Sequence, residues 1–280
     1  MIKKIIITFA VLFCIHLSFV MLYPGIGKAT NQWQENVVYA QTYLYSDHVD
    51  TVIVGTSLSA RIILDSIPSI NTLAFQGCSV EDGLRIIMAR KQKPQYVLVE
   101  SNLIYKEGNP QLFSSQTNYF LYELKKMIPS LREQYQPVCL LNGLLNDYKE
   151  WHIDKIKVKE IDVALLDREI KRRLNDGADT LDKGKWTSRI NTLKTLMSEL
   201  EKQGVKFVFF EMPINEKLYE TKGYVQTKQI VLSEFPRSKY MYLPSDTAKY
   251  LTTDGIHLGD RDAQAYSHYF KCLLSQTELR

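Results

Sequence analysis

Three short runs rich in valine, isoleucine and leucine set the terms for this chain: "TVIVGT" (51–56), "TLAF" (72–75) and "QYVLVES" (95–101). Each is too short for a helix, and none alternates apolar with polar as a half-solvated strand would. Runs of this kind suit strands buried on both faces. Between them lie stretches of helical spacing, "SLSARIILDSI" after the first and "SVEDGLRIIMARKQ" after the second. Strand and helix alternating at this interval predict βαβ units, a parallel sheet and a doubly wound α/β domain. The rhythm lapses over 106–185, where Pro110, Pro129 and Pro137, several tyrosines and the charged amphipathic run "VKEIDVALLDREIKRRL" predict a mostly helical insertion. It then resumes. "WTSRINTLKTLMSELEKQG" reads as a helix with Gly204 just past its end, "VKFVFFEMP" as a strand stopped by Pro213, and "YMYL" as the last strand. "DAQAYSHYFKCLLSQ" closes the domain as an amphipathic helix with Ala265, Tyr269, Cys272 and Leu273 on one side.

The N-terminus imposes a second constraint. Lys3 and Lys4 precede an apolar run from Ile5 to Leu22, whose only ionisable side chains are Cys14 and His16. That length reaches the lower end of what a membrane-spanning helix needs, and the leading lysines orient the N-terminus to the cytoplasm. A cleaved signal peptide is the rival, but no small-x-small site follows directly; Tyr23 and Pro24 stand there instead, an interfacial residue and a helix stop. The expected organisation is an anchor over 1–23, a polar and aromatic stalk over 24–45, and an α/β domain over 46–280 outside the cytoplasm. A net charge of +4, evenly spread and without an aromatic-interleaved basic stripe, argues against nucleic acid. Beyond Cys14 the cysteines number three, Cys78, Cys139 and Cys272, too widely spaced for a zinc site and odd for a disulfide framework, although a Cys139–Cys272 bridge stays open.

In an open parallel sheet, ligands bind at the carboxyl ends of the strands, and the polar candidates fall there. Ser57 follows the first strand, Gly77 the second and Asn102 the third; Asp254 and His257 lie in "TTDGIHLGD" before the last helix. A serine where strand gives way to helix either caps the helix or attacks a substrate. Attack needs a base, and the base needs an acceptor that sets its tautomer; His257 and Asp254, three residues apart around Gly255, meet both needs. The backbone N–H groups of Ser57 and Gly77 and the amide of Asn102 are candidate oxyanion donors. Ser59 is a decoy, turned away from Ser57 if a helix begins here. Glu100 and Glu211, at strand ends, are candidate buried partners or sugar-hydroxyl binders rather than catalysts. No metal or organic cofactor is required.

These blocks resemble the SGNH, or GDSL-like, hydrolase superfamily over about 50–275. Gly55-Thr56-Ser57 stands for the first block, with threonine in place of the family's aspartate; Gly77 for the second; Asn102 for the third, in a Glu-Ser-Asn-Leu context; and Asp254 to His257 for the last. The resemblance implies a three-layer, flavodoxin-like fold with a parallel sheet. It also implies a Ser57–His257–Asp254 triad with Ser57, Gly77 and Asn102 as the oxyanion hole. Tethered relatives of this type implicate an acylated surface glycan as substrate, by esterase or O-acetyltransferase chemistry, and a membrane-bound O-acyltransferase as partner. A lipid esterase or thioesterase, or a catalytically silent envelope scaffold, are the alternatives.

Overall fold

The computed structural model describes residues 1–64, 70–152, 161–176, 182–246 and 248–277. The chain packs as two compact units, one built from 1–41 and 115–157, the other from 42–114 and 158–280. The stretch expected as a single insertion is therefore divided between them.

The first unit begins with α1 (Ile2–Leu22), a helix of 21 residues and mean hydropathy 2.6, long and apolar enough to cross a membrane. The stretch expected as a stalk contains a helix, α2 (Gln32–Tyr45), on which Val37 and Ala40 of this unit and Tyr43 and Leu44, already in the second, are buried. It is packed structure rather than a free tether, because those four positions recur at helical spacing. Two further helices, α5 (Tyr119–Met127) and α6 (Pro137–His152), complete this unit.

The second unit is an α/β domain around five parallel strands: β1 (Thr51–Gly55), β2 (Ile70–Ala74), β3 (Tyr96–Glu100), β4 (Lys206–Phe210) and β5 (Met241–Tyr242). Their spatial order is β2-β1-β3-β4-β5. The chain winds outward in one direction from β1 to β2 and in the other from β3 onward, so the switch point lies between β1 and β3, paired Thr51 to Tyr96 through Val54 to Val99. Helices α3 (Val80–Ala89), α4 (Pro110–Thr117), α7 (Val163–Asp176), α8 (Lys183–Glu201), α9 (Lys222–Glu234) and α10 (Asp260–Gln276) surround the sheet. Ile53, Leu98, Val208 and Phe210 share one core with Tyr266 and Phe270 of α10. On the opposite face α3 lies against β1 and β2 through Gly83, where a side chain would sit 2.8 Å from Val54 Cγ1 and 3.0 Å from the Leu73 carbonyl. Gly204 follows α8 with φ +86°, the left-handed cap its position predicts.

Two expectations fail here. Among the described residues no α-helix follows β1: Ser59–Arg61 is a single 3-10 turn and Ile62 is already extended, while 65–67 of the expected helix lie outside the described residues. The helical spacing of Leu58 and Ile62 is real, since both are buried, but the backbone turns extended at Ile62. In α10 the buried stripe is Ala263, Tyr266, Ser267, Phe270, Leu273 and Leu274, while Ala265 and Cys272 are exposed. Two apolar stripes compete on that helix, and the one carrying Phe270 meets Phe210 with ring centroids 5.1 Å apart. None of the four cysteines is in a disulfide, so the Cys139–Cys272 bridge is absent. Burial pushes the Cys78 thiol up to about 11, which leaves it inert at neutral pH.

Gly83→Ala should lower the stability of the sheet unit by about 1–3 kcal/mol, because the α3–β1 approach has no room for a methyl group. Denaturant unfolding of the purified protein in detergent checks this.

Candidate active site

Thr56, Ser57, Leu58 and Ser59 form the turn after β1, and their shape is set from β3. Glu100, at the carboxyl end of β3, has no exposed surface. Its Oε2 accepts from the N–H of Thr56 at 2.8 Å, the N–H of Ser59 at 3.2 Å and the Ser59 hydroxyl at 2.6 Å. The Thr56 hydroxyl lies 2.9 Å from Oε1 and itself accepts the N–H of Leu58 at 3.3 Å. Gly55 fits beneath because a Cβ there would stand 2.0 Å from Ser59 Oγ and 2.7 Å from Glu100 Oε2. Thus the N–H groups of Thr56, Leu58 and Ser59 are all engaged, whereas that of Ser57 has no partner among the described residues. Ser57 caps no α-helix; the 3-10 turn begins after Leu58.

From the other side comes the loop 252–258. Thr252 and Leu258 form an isolated bridge, and Thr253 N–H donates to the His257 carbonyl at 2.8 Å. Gly255 takes φ +93°, where a side chain would be strained and would crowd Arg173, Ile170 and Leu218. Asp254 Oδ1 accepts the N–H groups of Ile256 at 3.2 Å and His257 at 2.9 Å. Its Oδ2 lies 2.9 Å from His257 Nδ1, and His257 Nε2 lies 2.8 Å from Ser57 Oγ. With the Nδ1 proton donated to Asp254, Nε2 is left to accept the serine proton. Ser57, His257 and Asp254, two hundred residues apart at the extremes, form one relay.

Arg173 of α7 adds a group that sequence reasoning missed. Its Nη2 donates to Asp254 Oδ2 at 2.5 Å and its Nε to the Asp254 carbonyl at 2.7 Å. Burial by itself would raise the Asp254 carboxyl. The side-chain and backbone hydrogen bonds from His257, then the positive fields of His257 and Arg173, outweigh it and hold the group well below the usual carboxylate range.

The three oxyanion candidates are placed differently. The Ser57 N–H is unengaged, as above. Asn102 is clamped to the segment just after β4: its Nδ2 donates to the Met212 carbonyl at 2.9 Å and its Oδ1 accepts the Met212 N–H at 2.7 Å. One Nδ2 proton remains, so the amide is held rigidly rather than free to follow a substrate. Gly77 is exposed with φ +76° in a turn closed by Cys78 N–H to the Phe75 carbonyl, and its own N–H has no partner among the described residues. Glu211 is bound by Tyr224, Lys228 and Ser245, and Ser59 by Glu100. A pocket of about 210 Å³ opens among Asn102, Leu103, Arg173, Ile214 and Leu218, together with Leu58 and Ile256, the sequence neighbours of Ser57 and His257. It adjoins a cleft of about 880 Å³ edged by Tyr219, Tyr224 and Tyr250.

A charged residue closing the buried run "YVLVE" was the available signal for Glu100. Arg173 had none, being one of several cations on a charge-rich helix. No family model matches the sequence, and no curated protein matches it.

Glu100→Leu should cost about 3–5 kcal/mol, because the N–H groups of Thr56 and Ser59 would be left buried without acceptors; Glu100→Gln should lose less. Chemical denaturation measures both. Asp254 sets a pH dependence with a definite sign. A carboxyl depressed by folding adds stability at pH values above its unfolded pKa of about 3.9 and loses it as pH falls through the lower folded value. Arg173→Met weakens the depression, so an acid titration followed by tryptophan fluorescence should show unfolding at a higher pH than in the wild type.

Proposed function

We propose that this chain is a serine esterase or O-acyltransferase of the SGNH hydrolase type, flavodoxin-like in fold, anchored by α1 with its α/β domain outside the cytoplasm, and acting on an acylated cell-surface glycan. The observation that carries the chemistry is the relay from Ser57 Oγ through His257 to Asp254, at 2.8 and 2.9 Å, on the carboxyl side of the sheet. The strand order supports the fold assignment, since ligands gather where that order reverses and Ser57 and Glu100 flank that point. The departure from the family at Thr56 is offset in space. A carboxyl absent from the first block is supplied by Glu100, from the strand that carries the third.

In this reading Ser57 Oγ attacks the acyl carbon while its proton passes to His257 Nε2. The carbonyl electron pair moves onto oxygen, where the N–H groups of Ser57 and Gly77 and the second Nδ2 proton of Asn102 are the donors. Collapse expels the alcohol, which takes the proton back from His257, and leaves an acyl group on Ser57. Water then releases a free acid, or a sugar hydroxyl accepts the acyl group, with His257 acting as base again. Asp254 holds the imidazole and stabilises its charged form; Arg173 holds Asp254. A membrane-bound O-acyltransferase is the partner this arrangement suits as acyl donor. The Leu58, Leu103, Ile214, Leu218 and Ile256 side of the 210 Å³ pocket favours, as a second reading, a lipid esterase or thioesterase.

Ser57→Ala, His257→Ala and the double variant should each lose at least about a thousandfold in ester turnover, with the second change adding little, because the two residues act on one step. Labelling by a fluorophosphonate should vanish in Ser57→Ala and persist in Ser59→Ala. A wild-type protein that neither takes the label nor turns over any acyl ester, while Ser57→Ala still functions in cells, would instead mark a silent scaffold.

A further inference from the structure

The unit made from 1–41 and 115–157 carries an apolar surface that water does not suit. On α5, Tyr119, Phe120 and Met127 are 79%, 71% and 78% exposed. On α6, Val138, Leu141 and Leu145 are all more than half exposed, spaced three and four apart along one face. The same helix buries Cys139, Leu140 and Gly143 on its opposite side, so it is apolar on two faces. Helices of soluble proteins seldom are, and monomers seldom expose a contiguous patch of this kind.

What covers the patch follows from where α1 is held. Along α1 the only partly or fully buried positions are Phe13, His16, Leu17, Phe19 and Val20. Val20 packs with Tyr135 and Leu140, and His16 Nε2 lies 3.3 Å from the Ser130 carbonyl. His16 is six residues before the end of α1, so Ser130 sits roughly 9 Å back along the helix axis at 1.5 Å per residue. Chain that packs against that stretch shares its depth. The helices follow suit. Arg132 Nε donates to the Lys125 carbonyl of α5 at 3.1 Å. Asn142 of α6 donates to the Lys28 and Ala29 carbonyls at 3.1 and 2.9 Å, and Lys28 N–H to the Cys139 carbonyl at 3.1 Å. Gly143 lies so close to the Ile26 carbonyl that a Cβ would meet it at 1.6 Å. The α6 helix is thus fastened to the residues that leave α1.

We infer that α5 and α6 are a lipid-contacting surface: with α1 across a bilayer, their exposed faces lie in the outer leaflet, among acyl chains and at the headgroup boundary. The composition fits that depth. Tyr23, Tyr119 and Tyr148 are interfacial aromatics, and Lys125 and Lys126 in the last turn of α5 suit anionic headgroups. The inference rests on α1 crossing a membrane and is independent of the hydrolase chemistry.

The test uses the full-length protein, reconstituted alone into phosphatidylcholine–phosphatidylglycerol vesicles containing a lipid with a diazirine on its acyl chain. After illumination, adducts are mapped by mass spectrometry. The expected result is adducts on α5 and α6, at Phe120, Met127, Leu141 and Leu145, as well as on α1. Adducts confined to α1, with the α5 and α6 faces modified by a water-borne carbene reagent, would overturn the inference and assign the patch to a protein partner. Absence of adducts from α1 as well would overturn the membrane anchor and the inference with it. In a Leu141→Glu, Leu145→Glu variant, adducts on α6 should fall roughly tenfold while those on α1 persist, because charge is disfavoured in the apolar layer. An unchanged melting temperature would show that the loss is not unfolding; adducts persisting on α6 would count against the inference.

Discussion

The carboxyl group of Glu100 is the interaction on which the site depends. It lies in the sheet interior at the end of β3 and takes four donors from the turn that follows β1. A buried polar group of this kind is tolerable only when fully partnered, and once partnered it rigidifies what it touches. Here it touches the backbone on either side of Ser57. The engaged N–H groups of Thr56, Leu58 and Ser59 leave Ser57 as the one member of the turn with both its hydroxyl and its N–H directed to other use. The first N–H groups of a helix have no partner within it, so these donors need an outside acceptor, and Glu100 and the Thr56 hydroxyl supply it. The backbone then makes one 3-10 turn and runs extended from Ile62.

A second charge arrangement stands opposite. Asp254 Oδ2 serves two donors, His257 Nδ1 and Arg173 Nη2, while Oδ1 serves two backbone N–H groups of its own loop. The carboxylate is therefore fixed by the loop and by α7 before it orients the imidazole. Both anchors act through hydrogen bonds at partly or fully buried positions, where such bonds hold geometry more firmly than at the surface.

The sheet was readable because burial on both faces leaves a compositional trace: valine, leucine and phenylalanine runs of strand length, ended by glycine, serine or proline. The chain order of Ser57, Asp254 and His257 at strand ends was readable for the same reason, since topology puts all such ends on one edge. What eluded reading was any choice between equivalent patterns. Leu58 and Ile62 have helical spacing but bracket a turn. On α10 two apolar stripes satisfy the same period, and only the facing Phe210 selects between them. The stretch 24–45 looks like a polar stalk until the recurrence of Val37, Ala40, Tyr43 and Leu44 finds something to pack on.

Sequence alone determined the parallel α/β core, an N-terminal helix able to span a membrane, a serine just after the first strand, and an aspartate and histidine in the loop before the last helix. These follow from local composition and from the rule that a parallel sheet gathers its carboxyl ends on one side. Tertiary structure decided which carboxyl shapes the turn at Ser57, which cation holds Asp254, how Asn102 is clamped and where 115–152 packs. Glu100 meets Thr56 across 44 positions and Arg173 meets Asp254 across 81. Hydrogen bonds over such separations have no period or propensity in the chain; they exist only once the sheet and its helices have closed.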